Sequence, residues 1–195
     1  LTRHYLDAFP SCRIRAGSRL TLLHLSDTHI GSRKSIERII RVKDLLKEYV
    51  KRNGGDSSVR FLLSGDIMQT PDESNVVCAN DLHDFLKDLQ PSGHDPIFVP
   101  GNHDVRAKGV LRSRPAFSSL VPAIHTRIEW IPEHPVGILC WNSADAGRMA
   151  RGKITGEQYR TIEEQMIPCP VGSTNPILIS LLHHHPMQLH RIGPE

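Results

Sequence analysis

Four short polar segments of this 195-residue chain contain residue types that commonly bind divalent metal ions. Each segment follows a short apolar run, and none of the four contains a cysteine. Carboxylate, imidazole and amide oxygen donors suit Mn, Fe, Zn or Co better than they suit metals that select thiolates. The segments are Ser26–His29, Ser64–Asp66, Gly101–Asp104 and His183–Pro186. The residue types therefore predict a site for divalent metal ions.

Local features of these segments favour metal binding. In the Asp27-x-His29 pair, an extended backbone would point both side chains the same way, so that both could bind one ion. Asp66 has two carboxylate oxygens and can bridge a pair of ions. Gly65 and Gly101 would let the backbone turn sharply and approach the metals closely. We therefore expect the four segments to act together.

The fold must bring these separate segments to one place. Apolar runs too short for typical helices predict buried strands. The five predicted strands are Leu20–Leu25, Val59–Leu63, Pro96–Val99, Gly137–Trp141 and Ile177–Leu182. Strands that alternate with helices predict the α/β class, with right-handed crossovers and a largely parallel sheet. Ligands bind beyond the carboxyl ends of the strands in such sheets, so the polar segments should meet at one edge.

Three helices are predicted between the strands. Apolar residues at helical spacing indicate the first over Ser35–Lys51 and the second around Leu82–Leu89. The third begins near Thr155, whose spacing to Gln158 forms a capping box. Its expected buried face consists of Tyr159, Ile162 and Met166. Residues 105–135 lack clear periodicity and are interpreted as a long excursion over the mouth of the sheet.

Composition narrows the class of protein. No stretch approaches the roughly 18 consecutive apolar residues of a membrane helix, and the net charge of +3 is spread along the chain, which argues against nucleic acid as a partner. The four cysteines include no Cys-x-x-Cys pair, so reduced thiols and a cytoplasmic location are expected. Residues 1–19 lack the features of a secretory signal and are interpreted as an N-terminal extension. Residues 20–195 are predicted to form one domain.

The polar segments resemble the DxH, GD, GNHD and HHxP signatures of the calcineurin-like metallophosphoesterase superfamily over about residues 20–187. Within it, the His-His-His-Pro run, Asn142-Ser143, Gly152-x-Ile154 and Gln158 resemble the class III cyclic-nucleotide (cAMP) phosphodiesterase branch. The resemblance implies an α/β/β/α sandwich of mixed sheets flanked by helices. It also implies a small phosphate-ester substrate, with a cyclic nucleotide as one candidate.

The resemblance further implies two divalent or mixed-valence metal ions, drawn from Mn, Fe, Zn or Co. Asp27 and His29 would bind the first ion, Asp66 would bridge the two, and Asn102 and His183 would bind the second. A hydroxide that bridges the two metals would attack phosphorus in line with the departing oxygen. The implied activity is phosphodiester hydrolysis.

Further roles follow from the same resemblance. His103 would lie over the phosphate and donate a proton or hydrogen bond to the leaving oxygen, and Asp104 could orient its ring. His184 and His185 would lie behind the metal ligands or face the substrate. Arg106 could contact the substrate phosphate.

One departure from the family pattern affects the expected activity. The superfamily signature ends in a Gly-His-x-His loop that gives a histidine to each metal, and nothing in the chain matches it. The domain is therefore expected to be incomplete at its C-terminus, with an incomplete second sheet, weak metal binding and little turnover. Three alternatives remain open: a non-catalytic scaffold or inactive fragment of the same fold, a DNA nuclease and a phosphomonoesterase.

Overall fold

A computed structural model of the chain shows two three-stranded sheets and one two-stranded ribbon among the residues that it describes. Those residues are 19–53, 57–90, 93–107, 111–112, 125–144, 152–166 and 175–184. No helix in these ranges is long and apolar enough to cross a membrane.

The first sheet consists of three parallel strands joined by two helical crossovers. In chain order the elements are β1 (Arg19–Leu25), α1 (Arg33–Asn53), β2 (Ser57–Ser64), α2 (Glu73–Leu89) and β3 (Ile97–Val99). The strands lie in the order β1-β2-β3, and both neighbouring pairs are parallel. All three carboxyl ends therefore lie at the same edge.

A short helix and a ribbon follow β3. The helix α3 (Asn102–Val105) begins in the GNHD segment, and the antiparallel strands β4 (Arg106–Ala107) and β5 (Leu111–Arg112) come next. The GNHD segment thus starts a helical turn directly beyond the sheet edge.

The second sheet is mixed. It contains β6 (Arg127–Trp130) and β7 (Val136–Cys140), which are antiparallel, and β8 (Ile177–Leu181), which is parallel to β7. Helix α4 (Gly156–Gln165) lies between β7 and β8 in the chain. The expected α/β class, with mixed sheets flanked by helices, is confirmed.

Side-chain caps explain where two helices begin. The Asp72 carboxylate accepts a hydrogen bond from the Asn75 amide at 2.9 Å and starts α2. The Thr155 hydroxyl accepts one from the Gln158 amide at 3.3 Å and starts α4. The Gln158 side chain donates to the Asn142 carbonyl instead of returning to Thr155. The predicted capping box is therefore half formed, and its glutamine ties α4 to the segment after β7.

The two cores lie on opposite faces of the first sheet. Side chains alternate along β2, so Phe61 and Leu63 pack with Leu82 and Leu86 of α2, whereas Leu62 faces the other way. Leu62 packs in a cluster that includes Ile138 of β7. Each such side chain contributes about 1.5–3 kcal/mol when fully buried. These cores hold the strand ends in place.

Three predictions about burial and secondary structure are wrong. Residues 105–135 are not a simple excursion, because β6 lies within them and pairs with β7. In α4 only Ile162 is buried; Tyr159 is 54% exposed, and its ring packs against Trp141 at the surface. The strand β8 is not buried along its length, since Ile177 is 60% exposed. Among the described strands β8 is an edge strand, paired on one side by β7.

Candidate metal centre

The segments that follow β1 and β2 run side by side beyond the first sheet. The Asp27 amide donates to the Gly65 carbonyl at 3.1 Å, and the His29 amide donates to the Asp66 carbonyl at 2.9 Å. These backbone hydrogen bonds continue the pairing of the two parallel strands. They place Asp27 and His29 beside Asp66, as the strand order predicts.

The backbone at these three residues is left-handed. The φ angles are 55° at Asp27, 45° at His29 and 49° at Asp66. The Asp27-x-His29 segment is therefore not extended as predicted, although the two side chains do approach each other, with Oδ1 of Asp27 3.9 Å from Nε2 of His29. A left-handed conformation costs a residue other than glycine about 1–2 kcal/mol. The backbone hydrogen bonds between the two segments stabilise this conformation. Strain is thus concentrated at three candidate ligands.

Two glycines allow the segments after β2 and β3 to touch. A Cβ atom on Gly101 would lie 2.1 Å from Oδ1 of Asp66. One on Gly65, whose φ is 79°, would lie 2.4 Å from the Gly101 amide nitrogen and 2.9 Å from Cγ of His183. The expected role of these glycines in close approach is therefore seen in the structure.

Asp66 lies at the centre of the candidate site. Its Oδ2 atom is 3.4 Å from Nε2 of His183 and 3.9 Å from Nε2 of His29. Its Oδ1 atom accepts a hydrogen bond from the His103 amide at 2.9 Å. Asp27 completes the set, with Oδ1 3.9 Å from Nε2 of His29. Groups from both sheets therefore converge on one carboxylate that is only 4% exposed.

The side chains form two overlapping groups of donors that share Asp66. One group is His29, Asp66 and His103, and the other is Asp27, Asp66 and His183. Within each group the donor atoms lie within 4.8 Å of one another. Ligand atoms around one ion with bonds of about 2.1 Å are roughly 3–4 Å apart. Small side-chain rotations would therefore let each group hold an ion, with the Asp66 carboxylate between the two.

His183 is oriented for metal binding through Nε2. Its Nδ1 atom donates to the Ser64 carbonyl at 2.8 Å, so Nε2 faces Asp66. Burial by itself would lower the pKa of His183, but the hydrogen bond and charge of Asp66 raise this pKa to about 9. Burial would raise the pKa of Asp66, but hydrogen bonds from His183 and the His103 amide hold it below its usual value. His183 and Asp66 therefore form an ion pair. A metal cation could take the place of the proton on Nε2 of His183.

The His103 ring is fixed by a backbone carbonyl. Its Nδ1 atom donates to the Gln69 carbonyl at 2.8 Å, which leaves Nε2 as the nitrogen available for other partners. The ring packs edge to face against His29, with centroids 5.0 Å apart. His103 therefore lies at the site in a defined orientation.

Asp104 has a different role from the predicted one. Its side chain is fully buried, with Oδ1 accepting from the Met68 amide at 3.0 Å and Oδ2 accepting from the Gly101 amide at 2.9 Å. Burial raises the pKa of Asp104 to about 7, although both hydrogen bonds lower it. The prediction that Asp104 orients the His103 ring is thus wrong. Through these two hydrogen bonds, Asp104 instead connects the segment after β2 to the segment after β3.

The remaining predicted residues are distributed as follows. Asn102 is buried at the first position of α3, directly before His103. His184 lies next to His183, and its Nδ1 atom is 3.0 Å from Oγ of Ser143. His185 and the side chain of Arg106 lie outside the described residues. The structure therefore brings together Asp27, His29, Asp66, His103 and His183, with Asn102 and His184 adjacent.

Sequence patterns do not reveal the partners that orient these ligands. The partners of His183 and His103 are the backbone carbonyls of Ser64 and Gln69, and every residue type has a carbonyl. Ser143 belongs to the Asn-Ser segment after a predicted strand, but the sequence gives no sign that it contacts His184. Three-dimensional proximity alone identifies these contacts.

The donors fit divalent metal ions. They combine carboxylate oxygens with imidazole nitrogens, they surround a shared carboxylate, and His183 has its free nitrogen turned towards that carboxylate. The fold and the donors define an α/β protein with a candidate site for divalent metal ions. A family model described as calcineurin-like phosphoesterase matches residues 20–193. The chain belongs to this family, whose members generally bind two divalent metals and hydrolyse phosphate esters.

Proposed function

We propose that the protein is a phosphodiesterase that acts on a small phosphodiester. The observation that carries this proposal is the sharing of Asp66 by two donor groups. Two cations bound there would make a water molecule acidic enough to act as a nucleophile and would neutralise charge on the phosphate. Mn, Fe, Zn and Co all match the donor set. His29 and Asp66 would hold one ion, with His103 beside it, and Asp27, Asp66 and His183 would hold the other. This division differs from the pairing of Asp27 with His29 and of Asn102 with His183 that the resemblance implies.

His103 is the proposed proton donor to the leaving oxygen. Its Nδ1 atom donates to the Gln69 carbonyl, which leaves Nε2 as the nitrogen that can exchange a proton. Nε2 can donate a proton when the ring is protonated and can accept one when the ring is neutral. The ring also packs against His29, which places it beside the metal donors. This position suits a group that stabilises charge on the departing oxygen.

A cyclic nucleotide is the proposed substrate class. Support comes from the resemblance of Asn142-Ser143, Gly152 and Gln158 to the cyclic-nucleotide branch, together with their position behind the candidate metal ligands. The cytoplasm is the proposed compartment. Cys78 and Cys140, the cysteines among the described residues, are both free thiols, which suits a reducing environment.

A second candidate is a non-catalytic member of the same fold. It would bind metal through the same donor groups. This candidate and the phosphodiesterase differ in one measurable respect. Only the phosphodiesterase turns over substrate when metal is bound.

The test compares substrates in the presence of Mn, with metal content measured on the same samples. The panel consists of bis(p-nitrophenyl) phosphate, p-nitrophenyl phosphate, cyclic AMP, cyclic GMP and single-stranded DNA. We expect the diester and a cyclic nucleotide to be hydrolysed faster than the monoester and the DNA. Asp66→Asn should abolish hydrolysis and metal binding, whereas Asp44→Asn, on the exposed face of α1, should change neither. Preference for the monoester or the DNA would refute the phosphodiesterase, and metal binding without any hydrolysis would favour the scaffold.

A further inference from the structure

Ser143 lies directly behind His184 at the carboxyl end of β7. Its side chain is buried, with 1% of the residue exposed. The hydroxyl oxygen accepts a hydrogen bond from the His184 amide at 3.3 Å and lies 3.0 Å from the ring atom Nδ1. One serine hydroxyl therefore holds both the backbone and the ring of His184.

The His184 ring fills the space beside two neighbours. Its centroid is 4.8 Å from that of His183, and the two rings are nearly perpendicular, at 82°. A Cβ atom on Gly152 would lie 2.2 Å from Cβ and 2.4 Å from Cγ of His184. Any side chain at position 152 would therefore displace His184, and the displaced ring would disturb the contact with His183.

Contact with His184 adds to the hydrogen bonds from His183 to the Ser64 carbonyl and to Asp66, the second of which a metal ion would replace. The bond from Nδ1 to the Ser64 carbonyl still allows the imidazole to pivot about the line joining the two atoms. Contact with His184 restricts that pivot from the side of the second sheet. The combined effect keeps Nε2 facing Oδ2 of Asp66, 3.4 Å away.

The segment that carries Ser143 is itself fixed from several directions. The Ser143 carbonyl accepts from the Lys153 amide at 3.0 Å, and the Trp141 amide donates to the Leu181 carbonyl at 3.0 Å. The Gln158 side chain donates to the Asn142 carbonyl at 2.9 Å. These bonds connect the end of β7 to both α4 and β8, so Ser143 is a rigid support.

We propose that Ser143, Gly152 and His184 are positioning residues that hold His183 in its metal-binding orientation. The proposal rests on the proposed function only in that His183 is taken to be a metal ligand. It gives a physical role to the Asn-Ser and Gly-x-Ile segments, which supply no candidate metal ligand. Second partners of metal-binding histidines typically change metal affinity by about 10–100-fold.

The test uses two disruptive variants with matched controls. Ser143→Ala removes the hydroxyl, and Gly152→Ala places a methyl group against His184. Ser180→Ala removes another hydroxyl, one that contacts Trp141, and Gly156→Ala adds a methyl group where nothing lies within 4 Å. Cobalt binding is measured by calorimetry and by visible absorption, and thermal unfolding of the metal-free proteins shows whether each variant is folded.

We expect both disruptive variants to bind one of two cobalt ions about 10–100-fold more weakly and to show an altered cobalt spectrum. The two controls should bind both ions as the wild type does. If Ser143→Ala and Gly152→Ala match their controls in affinity and spectrum, the positioning proposal is refuted and the proposed function stands. If one disruptive variant does not fold, the other decides. A wild-type protein that binds no cobalt would refute both proposals.

Discussion

Nε2 of His183 lies 3.4 Å from Oδ2 of Asp66, although the two residues follow strands of different sheets. Asp66 comes just after β2 in the first sheet, and His183 comes just after β8 in the second. Their contact joins the segments that follow the carboxyl ends of β2 and β8 at a buried point. Without metal the two side chains form an ion pair, so the stability of the metal-free protein should depend on pH.

Replacement of His103 by asparagine should lower turnover far more than metal content. The hydrogen bond from His103 to Asp66 is donated by the backbone amide, which asparagine retains. Loss of the ring removes the proposed proton donor. Loss of a general acid or base typically lowers the reaction rate by about 100–10,000-fold. The measurement pairs kcat with metal analysis of the same sample. Equal losses of kcat and bound metal would show that His103 is a ligand instead.

The metal-free protein should lose stability as the pH rises from about 6.5 to about 9. The pKa of His183 is about 9 in the folded protein, above the ordinary histidine value of 6.5, so the folded state binds the proton more tightly. The stabilisation is complete below pH 6.5 and disappears as the pH passes through 9. Its size is at most about 3 kcal/mol.

Urea unfolding at pH 6, 7.5 and 9 in the presence of a chelator measures this loss. His183→Gln should flatten the pH dependence between pH 7.5 and 9, because the raised pKa of Asp104 also lowers stability as the pH rises to about 7. His125→Gln, at an exposed position, should leave the pH dependence unchanged. The lowered pKa of Asp66 acts in the opposite direction: its contribution is present above about pH 4 and is lost in acid. Stability that stays constant between pH 6.5 and 9 would contradict the ion pair.

Replacement of Asp104 by asparagine should destabilise the fold. The carboxylate accepts hydrogen bonds from two backbone amides, those of Met68 and Gly101. An asparagine has one acceptor oxygen, so its NH₂ group would face one of these N–H donors and leave it unsatisfied. Such a buried donor costs about 1–3 kcal/mol. Urea unfolding should show this loss for Asp104→Asn and almost none for Asp81→Asn, at an exposed position of α2; equal stability of the two would show that the hydrogen bonds contribute little.

The convergence of Asp27, His29 and Asp66 is predictable from the sequence because it depends on the order of parallel strands. The position of His183 is not, because it follows a strand of a second sheet and the sequence predicts one largely parallel sheet. Parallel strands end at one edge, so Asp27, His29 and Asp66 must lie close together once β1 and β2 are identified. The left-handed backbone at these residues is not predictable, because tertiary hydrogen bonds impose it. Local patterning cannot reveal it.

Other parts of the fold escape prediction for similar physical reasons. The strand β6 has only four residues, too few for a convincing alternation of apolar and polar side chains. The apolar positions of α4 show which face could be buried, but tertiary packing covers only Ile162. The partners of Asp104 are backbone amides, and these have no signature in the sequence.

Replacement of Gly101 by alanine should disrupt the centre through lack of space, not through backbone strain. The new Cβ atom would lie 2.1 Å from Oδ1 and 2.9 Å from Cγ of Asp66, which is itself fixed by the His103 amide. Asp66 would have to move away from His183, so we expect metal affinity to fall and the fold to lose about 1–3 kcal/mol. Gly156→Ala is the matched control, because open space surrounds that position. Metal titration and urea unfolding measure both effects, and a Gly101→Ala protein with wild-type metal affinity would show that Asp66 need not hold the position seen in the structure.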